Sequence, residues 1–175
     1  MSRPFSGRTI VRAGVALALL SVGTLAVGAS SIVGPPWISI EVPPNPYDRA
    51  SRDAFLIVNT FHHGDAVASG VTGTAEGIVG SNRRSVPLTF QETSRRGSYA
   101  LRKQWPSDGT WMLVINTGGR DKGVTALVDV GAGGEVAGVR VPTRRQGEWE
   151  VPAQVTAADI DHALSVRARV ATASR

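Results

Sequence analysis

The pattern of apolar and polar residues in the middle of this chain predicts β-strands. In the segment WISIEV, residues 37–42, the aliphatic residues Ile38, Ile40 and Val42 occupy every second position, which is the period of a strand. Proline-rich stretches flank it on both sides, at residues 35–36 and 43–46. Prolines confine a strand to the edge of a sheet or end it, so we expect this segment to be a first strand at a sheet edge.

The next segment, AFLIVNTFHH at residues 54–63, is too apolar for an exposed strand and too short for a helix. We therefore expect a central, buried strand that ends at the Gly64-Asp65 turn. Six further β-prone runs follow, at residues 71–79, 83–90, 99–104, 111–116, 124–130 and 136–141.

Glycine-, proline- and asparagine-containing turns separate these runs, and no helical stretch lies between them. A parallel sheet would need crossover helices, so the spacing favours antiparallel strands. We predict an all-β protein: an immunoglobulin-like antiparallel β-sandwich of about seven or eight strands, spanning residues 37–151.

The first 29 residues have the layout of an export leader. Residues 1–12 are polar and basic, residues 13–27 are apolar and uncharged, and small residues follow at Gly28 and Ala29. This order predicts a secretory signal peptide cleaved after one of those two residues, followed by a linker at residues 30–36. The alternative is an uncleaved membrane anchor, because the uncharged stretch continues to Ile40. Both interpretations place the domain outside the cytoplasm.

The last segment, residues 152–175, differs in kind from the strands before it. Thr156 and Asp159 stand in the N-cap and N3 positions of a capping box, and Ile160, Leu164 and Arg167 then share one helical face. We predict a short amphipathic C-terminal helix that docks on the sandwich or projects from it.

Charge and cysteine content narrow the possible partners. The formal net charge is +5, but without Arg3, Arg8 and Arg12 of the leader 16 basic residues face 14 acidic ones, a net charge of +2. A nearly neutral domain argues against nucleic-acid binding.

The chain has no cysteine, which excludes disulfides, thiolate zinc sites and thiol catalysis.

The histidines are the candidate metal ligands. His62 and His63 are adjacent at the end of a predicted strand, where consecutive side chains point to opposite faces. On that geometry the two do not chelate one metal ion, and His162 on the tail would have to fold back to complete a site. Structural or surface histidines are the simpler interpretation.

Enzymatic chemistry has little support in the sequence. No Gly-x-Ser-x-Gly motif is present, so a serine hydrolase lacks its usual signature. Glu148 and Glu150 flank Trp149 in a strand-like context, where a solvated face explains them better than acid–base catalysis. Gly131, Gly133 and Gly134 lie between two β runs and begin no helix, which argues against a phosphate-binding loop.

Partner binding could use basic and aromatic residues. The basic pairs lie at residues 83–84, 95–96, 102–103 and 144–145, and scattered solubilising arginines are the simpler interpretation. Trp111 is expected in the core. Trp105, beside Pro106 in a turn, is the tryptophan expected to be exposed, and with Arg102 it would stack a sugar or anchor a partner.

One stretch adds a family resemblance. Residues 97–115 combine a Gly-x-Tyr strand start, a Pro-x-x-Gly turn and the motif Trp-x-Leu-x-Ile. Together with residues 55–73 this resembles the YtkA/FixH-like family of extracytoplasmic immunoglobulin-like domains, over roughly residues 53–130. The resemblance implies a small module associated with other envelope proteins, including copper or oxidase assembly systems, although the Met/His-rich copper segments are missing here.

The sequence thus favours a non-enzymatic, extracytoplasmic module without a cofactor. It is expected to bind or scaffold another component of the cell envelope, either a protein or a surface polymer. The alternative is a copper-handling accessory protein that uses His62 and His63, and the third possibility is an envelope hydrolase. Contact with the membrane is expected only through an uncleaved N-terminal segment.

Overall fold

A computed structural model of the protein describes residues 36–118 and 123–173. The predicted leader and nearly all of the linker lie outside these residues. The described residues form twelve strands and one helix. None of the described helical residues forms a segment long and apolar enough to cross a lipid bilayer.

The strands form two antiparallel sheets and a separate hairpin. The first sheet contains β1 (Trp37–Glu41), β2 (Leu56–His62), β3 (Asp65–Ala66), β6 (Phe90–Glu92) and β7 (Ser98–Leu101). The second contains β4 (Val71–Val79), β5 (Asn82–Pro87), β8 (Thr110–Thr117), β9 (Val124–Val130) and β10 (Val136–Arg140). The hairpin consists of β11 (Thr143–Gln146) and β12 (Trp149–Pro152), and the helix α1 spans Ala157–Ala173.

The strand order is β1-β2-β7-β6 in the first sheet, with β3 also paired to β2, and β10-β9-β8-β4-β5 in the second. The two sheets pack face to face around one apolar core, to which both contribute buried side chains. The predicted all-β sandwich is therefore confirmed. The predicted edge position of β1 and the central, buried position of β2 are confirmed as well.

Alternation along β8 explains how the second sheet is buried on both of its faces. Trp111, Leu113 and Ile115 point into the core between the sheets, as predicted. Met112 and Val114 point the other way and pack against Leu164 of α1. The C-terminal helix thus covers the outer face of the second sheet, and this packing adds a third layer to the sandwich.

The helix begins with the predicted capping box. The Thr156 backbone N–H donates to Asp159 Oδ2 at 2.8 Å, and the Asp159 N–H donates to Thr156 Oγ1 at 3.3 Å. These reciprocal bonds satisfy two backbone donors that a helix start leaves without a partner. Hydrogen bonds from Thr156 hold the pKa of Asp159 below its ordinary value.

Two arginine contacts join the helix to the sheet beneath it. Arg83 on β5 pairs with Glu76 on β4, at 3.0 Å, and with Asp161 on α1. Arg167 on α1 donates to the Val130 carbonyl at 2.8 Å. Its guanidinium also lies 2.7 Å from Asp129, as an ion pair rather than an aligned hydrogen bond. The contacts of Arg83 with Asp161 and of Arg167 with Val130 and Asp129 therefore link the helix to the second sheet.

One strand prediction is wrong. Residues 83–90 do not form a single strand: β5 ends at Pro87 in the second sheet, and β6 begins at Phe90 in the first. Between them Leu88 turns into the core, and its backbone N–H bonds the Gly73 carbonyl at 2.9 Å. Pro87 cannot continue the hydrogen-bond ladder because it has no N–H, so the chain crosses to the opposite sheet here. The short β3 and the β11–β12 hairpin were not predicted as separate elements.

Candidate interaction surface

The hairpin formed by β11 and β12 stands apart from both sheets of the sandwich. Its strands pair only with each other among the described residues, with Arg145 opposite Glu150 and Gln146 opposite Trp149. Gly147 and Glu148 form the two-residue turn, and Gly147 has a φ of +62°. A positive φ at the first central position is what a type II′ turn requires, and this turn type matches the twist of the two strands.

The pairing register divides the hairpin into two chemically different faces. Directly opposed residues of an antiparallel pair share a face, and successive residues alternate. One face, which we call the Trp149 face, therefore carries Arg144, Gln146, Trp149 and Val151. The opposite face carries Thr143, Arg145, Glu150 and Pro152.

The residues of the opposite face interact with one another or with the fold. Thr143 Oγ1 donates to Glu150 Oε2 at 2.8 Å, and Pro152 is buried. By contrast, Arg144, Gln146 and Trp149 form no side-chain hydrogen bond or ion pair with any residue in the described part of the chain. The Trp149 face is thus the side of the hairpin with unused hydrogen-bonding and stacking capacity.

Trp149 differs sharply from the tryptophans of the core. Its exposed fraction is 77%, against 2% for Trp111 and 4% for Trp105. Trp37, at the start of β1, is intermediate at 49%. A large aromatic ring left in water forgoes the stabilisation that burial would give. Such exposure on an ordered strand is typical of a binding residue.

The base of the hairpin is firmly attached to the sandwich. The Ala153 N–H donates to the Pro142 carbonyl at 2.9 Å, and the Thr125 N–H of β9 donates to the Ala153 carbonyl at 3.1 Å. The Val155 N–H then donates to Thr125 Oγ1 at 3.2 Å. These bonds connect the end of the hairpin to the buried start of β9 and to the helix that follows. The base of the hairpin is therefore tied to the sandwich by hydrogen bonds on the side of β12.

The predicted exposure of Trp105 is wrong. Its ring packs edge-to-face on Phe55, with ring centroids 5.0 Å apart, inside the main core. Burial of this large apolar ring against Phe55 is favourable and accounts for its position. The same loop is held to the link between β5 and β6, because the Gln104 side-chain amide donates to the Thr89 carbonyl at 2.8 Å and accepts from the Thr89 N–H at 2.9 Å. Arg102 is exposed and donates to Gln91 instead, so the predicted Trp105–Arg102 surface does not form.

The histidine pair is arranged differently from the expectation. His63 leaves the strand with a positive φ of 54°, and its ring lies against that of His62 with centroids 4.4 Å apart. The two side chains therefore do not point to opposite faces. In the described part of the chain no three His, Cys, Asp or Glu side chains are grouped so as to hold a metal ion. His162 is exposed on α1.

The four basic pairs differ in the hydrogen bonds and ion pairs that their side chains form. Arg83 joins Glu76 and Asp161, Arg95 pairs with Glu41 at 2.9 Å, and Lys103 donates to Ser107 at 3.0 Å. Among the described residues, Arg84, Arg96 and Arg144 have no side-chain hydrogen bond or ion pair. Of these three, Arg144 shares a hairpin face with Trp149.

The remaining sequence candidates take part in local structure. The Gly134 N–H donates to the Gly131 carbonyl at 3.0 Å in the turn between β9 and β10, so these glycines form a hairpin turn. Glu148 and Glu150 are both exposed, consistent with a solvated face.

A shallow recess lined by Ser69, Gly70, Thr72 and Gly118 has no charged side chain among its described residues.

Sequence reasoning overlooked the Trp149 face, although a signal was present. Two short runs, residues 143–146 and 149–152, flank the dipeptide Gly147-Glu148. A glycine at the first position of a two-residue connection predicts a type II′ hairpin. The pairing register that follows from such a turn places Arg144 and Trp149 on one face of the hairpin.

Comparison with protein-family models, curated proteins and solved structures found no match to this chain. The resemblance to YtkA/FixH-like domains therefore stays a prediction.

Proposed function

We propose that this protein is an exported, non-enzymatic binding module that attaches to another component of the cell envelope through the Trp149 face of its hairpin. The observation that carries the proposal is the 77% exposure of Trp149 on an anchored hairpin, beside an arginine with no partner among the described residues. Exposed aromatic and arginine side chains dominate the binding energy of many interaction surfaces.

The strand order supports an immunoglobulin-like architecture for this module. An immunoglobulin domain has strands A, B, E and D in one sheet and C, F and G in the other. If β1, β2, β4, β6, β7, β8 and β9 are taken as A, B, C, D, E, F and G, both sheets follow this order. Such domains commonly serve as binding modules, but the fold alone does not specify a ligand.

The proposed location outside the cytoplasm rests on the leader-like sequence of residues 1–29, which is basic, then apolar, then small. A mass measurement of the protein purified from its native cells tests how the leader is processed. Loss of the residues up to Gly28 or Ala29 supports a signal peptide, and an intact N-terminus supports a membrane anchor. Recovery of the protein from the cytoplasmic fraction would contradict both.

In-cell photo-crosslinking tests the binding surface directly. A benzophenone amino acid at position 151 lies on the Trp149 face, two residues from Trp149, and one at position 145 lies on the opposite face as a control. We expect a defined adduct from position 151 and little from position 145. Equal adducts from both positions, or none from either, would refute the hairpin as the interaction surface.

Copper or zinc handling is the second candidate, on one observation: the adjacent rings of His62 and His63. Titration of the purified domain with Cu(I), Cu(II) and Zn(II) tests it. Submillimolar affinity that a His62→Ala/His63→Ala double variant abolishes would favour metal handling over the binding module. Unchanged affinity in that variant would exclude the pair as ligands.

A further inference from the structure

The size of the Trp149 face limits what it can bind. It carries four residues on two short strands, which at about 3.3 Å per residue gives a length of roughly 10 Å. A stable interface between two folded proteins buries about 800 Å² on each partner and involves some 20–30 residues per side. The face is therefore too small to hold a folded protein by itself, and it fits a ligand with small repeating units better.

The aromatic ring specifies the kind of unit that fits. The face of an indole carries partial negative charge, which attracts the weakly positive C–H groups on the flat side of a sugar ring. Gln146, directly opposite Trp149 in the register, adds an amide that can both donate to and accept from hydroxyl groups. A planar stacking surface beside an adaptable hydrogen-bonding group matches a saccharide.

Charge on the same face narrows the ligand further. Arg144 is opposite Val151, two residues from Trp149 along β12, and such diagonal neighbours are about 7–8 Å apart. The nearby acidic residues are placed elsewhere: Glu150 is on the opposite face, bonded to Thr143, and Glu148 is in the turn. The Trp149 face thus presents one guanidinium and no carboxylate, which complements an anionic ligand.

From these features we infer that the Trp149 face binds an acidic polysaccharide, a chain of sugars that carry carboxylate groups. One sugar ring stacks on Trp149, Gln146 bonds its hydroxyl groups, and Arg144 pairs with the carboxylate of the same or the next sugar. This inference rests on the proposed function, because it names the ligand class of the same hairpin surface.

Binding to defined polymers tests the inference with the full mature chain. The probes are two uronate polymers of different linkage, polygalacturonate and alginate. Fully methyl-esterified polygalacturonate keeps the sugar ring but lacks the charge, and poly-glutamate keeps the charge but lacks the ring. We expect the uronates to bind at least about tenfold more tightly than either comparator, because one comparator loses the charged hydrogen bond and the other loses the stacking.

Single substitutions assign the binding to the two side chains. Trp149→Ala should weaken uronate binding at least about fivefold, as loss of one stacked ring does. Arg144→Gln should weaken it about tenfold through loss of a charged hydrogen bond. Arg145→Gln removes the same charge from the opposite face and should change the affinity by less than about twofold.

Several outcomes would overturn the inference. These are no uronate binding, poly-glutamate binding as tight as uronate binding, or uronate binding that Trp149→Ala leaves unchanged. Anionic phosphatidylglycerol vesicles form a further probe: if they bind more tightly than the uronates and need Trp149, the face binds membrane instead.

The crosslinking experiment separates this failure from failure of the proposed function. A protease-sensitive adduct of discrete mass from position 151 means that the hairpin binds a protein, so the proposed function stands and the polysaccharide does not. Absence of any adduct from position 151 refutes both.

Discussion

Gly77 on β4 is paired directly with Trp111 on β8, and the six-membered ring of the indole lies against the glycine backbone. A Cβ atom at position 77 would come within 2.5 Å of Trp111 Cε3. The other end of the indole is held as well, because Nε1 donates to the Asp108 carbonyl at 2.7 Å. Trp111 therefore fits its place in the core only because residue 77 has no side chain.

Gly77→Ala should destabilise the protein by about 1–3 kcal/mol, the usual cost of overpacking a core. Urea denaturation measures this as a lower transition midpoint. Gly70→Ala is the matched control, since a Cβ at that position meets nothing within 4 Å. If both variants were equally stable, the indole would not be confined by Gly77.

Truncation to alanine should lower the stability of the protein strongly at Trp105 and hardly at all at Trp149. Trp105→Ala removes a ring that is 4% exposed and packed on Phe55, and should cost about 3–5 kcal/mol. Trp149→Ala removes a ring that is 77% exposed, and should change the stability by less than about 0.5 kcal/mol. A large loss of stability in Trp149→Ala would mean that the ring has a structural role rather than a binding role.

Glu76 should make the stability depend on pH in the acid range. Burial alone would raise its pKa, but hydrogen bonds from Ser85, Thr74 and Arg83 hold the pKa below the ordinary value of 4.5. A carboxyl whose pKa is lower in the folded state stabilises the fold above its unfolded pKa. That contribution is lost as the pH falls through the folded pKa.

Glu76→Gln should therefore cost about 1–2 kcal/mol at pH 7, and the difference from wild type should shrink below pH 4.5. Denaturation curves at several pH values provide the measurement. Glu92→Gln, an exposed glutamate on β6, serves as the control. A difference that stays constant down to acid pH would contradict the assigned role of the carboxylate.

The docked helix should contribute to global stability through Leu164, which is 1% exposed and packs on Met112, Val114 and Leu127. Leu164→Ala should cost about 2–5 kcal/mol. Val166→Ala, on the same helix but 43% exposed, should have a small effect. If Leu164→Ala changed only the helical signal and left the β-sheet transition where it was, the helix would be a separate unit that is not coupled to the sandwich.

Much of the fold could be predicted because short-range patterns specify it. The alternation of Trp111, Leu113 and Ile115 and the capping box of Thr156 and Asp159 are local, and both form as expected. The failures involve contacts between distant residues. The sequence shows that Pro87 can end a strand. It does not show that the next strand, which begins at Phe90, belongs to the other sheet, because that depends on how the two sheets pack around the core. Trp105 is buried because its ring packs on Phe55, which is far from it in sequence.

The candidate site was missed for a related reason. The sequence predicts Trp105 as the exposed tryptophan because it stands beside Pro106, and it predicts Trp149 only as part of a solvated strand. Exposure differs because one residue precedes a proline turn that folds onto the core, and the other follows a tight hairpin turn. The histidine pair shows the same limit: the positive φ of His63 brings together two rings that a regular strand would separate.

The sequence by itself determined the secondary-structure class, most strand positions, the start of the helix and the near-neutral charge of the domain. These follow from the spacing of apolar residues, from turn chemistry and from composition, all of which act over a few residues. The tertiary structure alone decided that α1 covers the second sheet, that Trp105 is buried, and that no other described element covers Trp149. Such properties depend on which distant side chains meet, because burial and charge pairing are set by packing between elements.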